Sequence, residues 1–332
     1  MALPPVCRIW YHNTSPATRR GGIFCAGARK AGVFTMWFVY TMVTVLFWSG
    51  SDLFSKMGSA PQDKNSHWKM VIAVGSVMGL HALWQVTAGG VQYDPVNLLR
   101  YLPVSALYIV SMIFGYAGLR YIELSVSSPI CNSSGAITAL LCFLFLGQRM
   151  SGLQFGAVAL ISVGIVALAV LEQRADTRAR RLAGQASDRR YTHSALALAL
   201  PLLYCLLDGL GTFADAFVLD VVMDEVSANL SYEFTFLAMA VGAYLYLRLA
   251  KKERFLPQRE KVKYVAALCE TAGQFSYVFA LSGNAIVAAP TIASYSIFSV
   301  LWSRLFLKEK LSKGQYAVIA AVLVGIAILG LE

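Results

Sequence analysis

Charge is scarce in this chain. Of 332 residues only 14% are charged, where an ordinary soluble domain carries about a quarter, and 57% are hydrophobic. With a mean hydropathy of +0.59, a water-soluble fold would have to expose apolar surface along its whole length, which excludes a typical cytosolic enzyme. Histidine is scarcer still: His12, His67, His81 and His193 are too scattered in sequence to organise hydrolytic chemistry by spacing. The six cysteines form no CxxC and no Cys/His pair at zinc spacing. Cys7 and Cys25 sit in a polar N-terminal stretch, while Cys131, Cys142, Cys205 and Cys269 fall within apolar segments and read as small packing residues. Catalytic triads, phosphate loops and metal clusters are missing. Gly209-x-Gly211-x-x-Ala214 mimics a dinucleotide fingerprint without the strand that such a fingerprint follows. These absences argue against an enzyme and imply no cofactor.

What the chain has is long apolar runs. A crossing of a bilayer takes about 20 residues. Ten such segments are predicted, at 34–56, 69–87, 101–120, 125–146, 152–171, 194–217, 227–249, 264–282, 286–306 and 313–331. Gly75-xxx-Gly79 and Gly152-xxx-Gly156 offer close helix approach in lipid. The expected class is an all-α integral membrane protein. Residues 1–33 form a polar, basic tail with no apolar run and cleavage site of a secretory signal, and Met36 is an alternative start. Residues 172–193 are polar and basic and make the longest connector. They divide the chain into units at 34–171 and 194–332.

The chain also matches itself. Residues 129–168 align without a gap onto 290–329, an offset of 161. Pro129 meets Pro290, Ser133 meets Ser294, Phe145–Leu146 meets Phe306–Leu307, Ser151 meets Ser312 and Gln154 meets Gln315. Val163–Gly164–Ile165 meets Val324–Gly325–Ile326. Prolines, serines and glutamines in register are not what two unrelated apolar segments produce. An odd number of helices per unit makes the second copy enter the membrane from the opposite side. The expectation is therefore ten transmembrane helices as two inverted five-helix repeats, an architecture of secondary transporters with the substrate site between the halves.

The motif itself is specific: Pro129…LeuGlyGlnArgMetSer…GlyIle in the first copy and Pro290…LeuLysGluLysLeuSer…GlyIle in the second. In this the sequence resembles the drug/metabolite transporter superfamily, EamA type, over roughly 34–331. It departs from the family pattern at Gln148, where Glu is usual and where the second copy has Glu309. The resemblance implies transport of small metabolites or drugs without ATP hydrolysis and names no substrate.

The net charge of +10 does not point to nucleic acid, because most of the Lys and Arg lie between apolar segments. The connectors following segments 1, 3, 5, 7 and 9 hold 21 of the 28 Lys and Arg, and the remaining positions hold 7. By the positive-inside rule the 21-charge side is cytoplasmic and both termini are extracytoplasmic, whereas family members usually have both termini inside. Short loops and no targeting signal point to a bacterial inner membrane.

Ionisable groups within a span are costly and mark function or pairing. Asp208 stands near the middle of segment 6, with Tyr204 and Asp215 on the same face. Glu270, Gln274 and Tyr277 share a face of segment 8, and Glu233 lies beside Tyr232 on segment 7. Asp52 on segment 1 stands four residues from Lys56, so a local ion pair competes with a site role. Asp215 also reads as an interfacial residue. Trp48, Trp84, Tyr204, Tyr232, Tyr277, Tyr295 and Trp302 supply aromatic faces, each with lipid-facing packing as the alternative. Asn132, Ser133 and Ser134 follow Pro129, as Ser294 and Ser296 follow Pro290, to bind a ligand at a loosened turn or merely to cap it. His81 with Gln85 reads as a satisfied polar pair.

Carboxylates and aromatics without matching bases suit amines and quaternary ammonium groups through cation–π attraction. A buried carboxylate can equally carry a coupling proton. The expected activity is secondary transport of a small, preferably cationic organic solute across a lipid bilayer by alternating access. Export of amino acids or drugs is the alternative, and a non-transporting scaffold a further one. No oligomer is required.

Overall fold

The computed structural model describes residues 30–58, 63, 65–118, 134–182, 195–306 and 311–331. Ten α-helices are found there, with no strand among the described residues: α1 Lys30–Gly58, α2 Ser66–Thr87, α3 Val96–Gly118, α4 Ser134–Phe145, α5 Gly152–Leu182, α6 Ala195–Val221, α7 Glu225–Leu245, α8 Lys261–Ile292, α9 Tyr295–Phe306 and α10 Lys313–Leu331. A π-turn, Tyr246–Ala250, prolongs α7. Six of these helices are long and apolar enough to cross a membrane, on α2, α5, α6, α7, α8 and α10. Their outer faces carry Leu80, Val163 and Leu249, each exposed by two thirds or more. Such a surface is stable against lipid, where every backbone group is satisfied within its own helix.

The two halves interleave. Helix α1 packs on α8 and α3 on α6; α2 pairs with α7 and α5 with α10; α4 touches α6 and α8, and α9 touches α1. At the α2/α7 contact a Cβ on Gly75 would fall on the carbonyl oxygen of Phe236, and one on Gly79 would strike Leu237. The small-residue spacing predicted there is the contact itself. Gly152 and Gly156 differ: nothing lies within 4 Å of a Cβ on either, so that pair brings no helix close. Sequence spacing alone does not reveal which helix face a glycine pair occupies.

The α5/α10 pair repeats its details. Ser151 N–H donates to Gln154 Oε1 at 3.0 Å and Gln154 N–H to Ser151 Oγ at 3.1 Å, starting α5 with a reciprocal cap. Ser312 and Gln315 do the same for α10, at 2.8 and 3.3 Å. Farther along, a Cβ on Gly164 would collide with Val322, and one on Gly325 would press on Ile161 at 3.0 Å.

Boundaries depart from expectation in two places. Helix α5 continues to Leu182, so half of the basic connector is helical. The segment expected as one helix over 286–306 is two pieces. Asn284 is extended (φ −165°, ψ 78°), a short helical run follows to Ile292, and α9 begins at Tyr295. Pro290 within that run cannot donate a backbone hydrogen bond, and the break exposes N–H groups at each new helix start. Gln148 answers one of them: its Oε1 accepts the Ile286 N–H at 3.0 Å. Ser294 Oγ donates to the Thr291 carbonyl at 2.6 Å and Ser296 Oγ to the Ala293 carbonyl at 3.3 Å, so these hydroxyls cap the turn. Pro129, Asn132, Ser133, Glu309 and the side chain of Lys56 lie outside the described residues.

Candidate functional site

A cavity of about 1070 Å³ lies between α1, α2, α3, α4, α6, α7, α8 and α9 and reaches the α1–α2 connector at Asp63. Helical periodicity builds its walls, because residues three and four apart stack on one face. Helix α1 presents Trp48, Ser51, Asp52 and Ser55; α6 presents Tyr204, Asp208 and Thr212; α7 presents Tyr232, Phe236 and Met239; α8 presents Glu270, Gln274 and Tyr277. Tyr108 and Ser111 come from α3, Ser134 from α4 and Tyr295 from α9. No described Lys or Arg lines the cavity, whereas four carboxylates do: Asp52, Asp63, Asp208 and Glu270.

The acidic residues sit among hydroxyls and rings. Ser51 faces the Glu270 carboxylate and Ser134 faces Asp208. Ser299 donates to Asp52 at 2.8 Å. The Trp48 ring packs against Tyr277 with centroids 5.1 Å apart and edge-on to Tyr295 at 5.8 Å. That indole is held in place by Gly273, where any Cβ would overlap the Trp48 ring. Gln274 is 2% exposed and its Nε2 has no hydrogen-bond partner among the described residues.

Of the residues singled out in the sequence, Trp48, Asp52, Ser134, Tyr204, Asp208, Tyr232, Glu270, Gln274, Tyr277 and Tyr295 are brought together here. Glu233 is not. It is fully buried on the far side of α7, where His81 Nδ1 lies 2.8 Å from its carboxylate and Asn229 Nδ2 donates at 3.0 Å. The His81–Gln85 pair, 3.3 Å between side-chain nitrogens, is the outer part of that cluster. Trp84 is 58% exposed on the outer surface, and Trp302 donates from Nε1 to Ser49 at 2.9 Å, so neither lines the cavity. Asp215 is fully buried rather than interfacial and accepts the Tyr101 hydroxyl at 2.9 Å. Sequence reasoning passed over Ser51, Tyr108 and Thr212. Ser51 and Thr212 were visible as the i−1 neighbour of Asp52 and the i+4 neighbour of Asp208, but Tyr108 carried no such signal.

The two ends of the cavity differ. At the α1–α2 connector Lys69 Nζ meets Asp63 at 2.8 Å and Glu253 at 2.5 Å, while Lys263 Nζ meets Glu260 at 2.5 Å and the Gly58 carbonyl at 2.9 Å. Burial pushes the Asp63 carboxyl up, but Lys69 and the Asn65 backbone N–H outweigh it and hold the group below its usual range. Lys69 and Asn65 hold Glu253 low in the same way. At the other end the helices are tied by the His81–Glu233 cluster and by hydroxyl–hydroxyl contacts, Tyr108 to Tyr277 at 2.7 Å, Tyr108 to Thr212 at 3.2 Å and Ser105 to Thr235 at 3.2 Å, with Ser282 donating to the Glu225 carboxylate at the surface.

Spanning helices around a polar, acidic interior define a multi-pass membrane protein with an internal solute-sized chamber. Residues 35–170 and 209–331 match the EamA-like transporter family, and the chain belongs to that family of membrane transporters. No functionally curated protein matches the sequence. A crystal structure, described only as that of a protein, is similar in fold at a TM-score of 0.65, with 12% identity over 88% of this chain and 95% of the other. At that identity the likeness speaks to the fold alone.

Proposed function

We propose that the protein is a secondary active transporter for small organic cations, working by alternating access between two inverted five-helix repeats. The observation that carries the cation preference is the lining of the cavity. Asp208 and Glu270 stand beside Trp48, Tyr204, Tyr277 and Tyr295, and no described Lys or Arg lines the cavity. A desolvated ammonium over such rings gains about 2 kcal/mol per good contact.

The repeat is supported by the α5/α10 pair. The two reciprocal caps and the two glycine contacts fall at positions related by the same offset of 161 found in the sequence. The packing pairs support it too, since exchanging the halves turns α1/α8 into α6/α3 and α4/α6 into α9/α1, all of them observed. The cavity reaches the connector end that holds most of the Lys and Arg, which makes this the cytoplasm-facing state under the positive-inside rule.

Counterflow in proteoliposomes tests the reading. Labelled choline should exchange into choline-loaded vesicles, and Glu270→Gln and Asp208→Asn should lose that exchange while unfolding at the wild-type temperature. Exchange of neutral or anionic solutes only, unaffected by either substitution, would overturn the cation preference.

A further inference from the structure

Behind the cavity floor lies a carboxylate that the proposed substrate site does not use. Asp215 stands two turns beyond Asp208 on α6, so both lie close to one face, but only Asp208 lines the cavity. Asp215 is 0% exposed. Its Oδ1 accepts the hydroxyl of Tyr101, itself 0% exposed, and its Oδ2 has no partner among the described residues. The titratable groups that face it are phenols: Tyr101 and Tyr108 from α3, Tyr232 from α7 and Tyr277 from α8. No described cation pairs with it. An anion buried in that way is uncompensated, and structures tolerate such a group when it serves function.

Hydroxyls that line the cavity stand near Asp215 without bonding to its free oxygen. Thr212, one turn before Asp215, lines the cavity and accepts the Tyr108 hydroxyl, which also meets Tyr277. These same hydroxyls join α3, α6 and α8 at the closed end. A proton from the cavity would pass these hydroxyls and then cross the remaining gap to the unpartnered Oδ2 of Asp215.

We propose that Asp215 is the proton-carrying carboxylate of the transport cycle, separate from the carboxylates that face the solute. The proton bound at Asp215 in the cavity-open state neutralises the group while the closed end is dry. When that end opens, Asp215 is hydrated and releases the proton to the opposite side, so one proton moves for each cycle. The inference rests on the transporter reading above but not on the solute being a cation.

Two measurements test it. Infrared difference spectra of the purified protein, taken between acid and alkaline pH, should show a protonated carboxylic-acid C=O band that persists in Asp208→Asn and Glu270→Gln and disappears in Asp215→Asn. A band unchanged in Asp215→Asn overturns the proposal, whatever the solute. In proteoliposomes, Asp215→Asn should keep choline-for-choline exchange and lose choline accumulation driven by a pH gradient, with Tyr101→Phe impaired in the driven mode only. Loss of both modes in folded Asp215→Asn would place the residue in the substrate site and overturn the assignment. A wild type that moves no choline at all breaks the cation reading, and the infrared band then decides the proton site alone.

Discussion

The two ends of the bundle are held by different chemistry. At the connector end, Lys69 and Lys263 gather Asp63, Glu253 and Glu260 into an ion cluster whose carboxylate side chains keep 14–32% of their surface exposed. At the closed end the ties are mostly between neutral hydroxyls, with one cluster around the fully enclosed Glu233 and one surface contact from Ser282 to the Glu225 carboxylate. Lys69 and Lys263 are buried, but the partly exposed carboxylates leave their cluster open to water and salt from one side, whereas a dry polar contact is lost only when its helices part. The difference suits an end that stands open and an end that must stay shut until the cycle turns.

The largest effect is expected from the closed end. His81→Ala leaves Glu233 buried with Asn229 as its remaining side-chain partner and should cost about 3 kcal/mol, at the low end for such pairs because His81 is partly exposed. Denaturant unfolding in detergent measures it, and His81→Leu with Glu233→Leu should recover most of the loss. Next is Gly75→Ala, where the new Cβ meets the backbone of Phe236 and cannot be relieved by a rotamer change. It should cost about 2 kcal/mol by forcing α2 from α7.

Lys69→Met should cost about 2 kcal/mol at low ionic strength, between an exposed and a fully buried pair because Lys69 is buried while its carboxylates are partly exposed, and progressively less as salt is added. A cost at the closed end should be insensitive to salt, so the same titration on both variants separates the two ends. The pH response has a definite sign. Asp63 and Glu253 titrate below their ordinary values in the folded protein. Their contribution is therefore complete above the unfolded carboxylate pKa of about 4 and is lost as pH falls through the lower folded values. Wild type should lose stability over that acid range, and Lys69→Met should show a flatter profile. The smallest effect, about 0.5 kcal/mol, is expected for Gln148→Ala, which removes one acceptor from the start of the run after Asn284.

Much of this was legible in the sequence because helical periodicity is. Tyr204 with Asp208, and Glu270 with Gln274 and Tyr277, share faces by their spacing, and those faces meet in one cavity. The reciprocal caps of α5 and α10 follow from Ser-x-x-Gln at the two matched positions. What spacing cannot supply is depth and partner. Asp215 falls near the face of Asp208 yet is closed off by Tyr101, a residue 114 positions away. Glu233 looked like a cavity residue because its partner His81 lies 152 positions away on α2. The extended residue Asn284 falls in the gap between the segments expected at 264–282 and 286–306, but the second break, between Ile292 and Tyr295, lies inside a run expected as one helix, and only the backbone reveals that this run holds two helical pieces.

The most direct test of the acidic cavity as a cation site is a thermal-unfolding comparison of the purified protein with choline, a neutral polyol and an organic anion. A ligand at about 100 times its dissociation constant should stabilise the protein by roughly 2.7 kcal/mol. The account predicts stabilisation by choline alone, abolished in Glu270→Gln and Asp208→Asn. Stabilisation by the polyol or the anion, and none by choline, would contradict it.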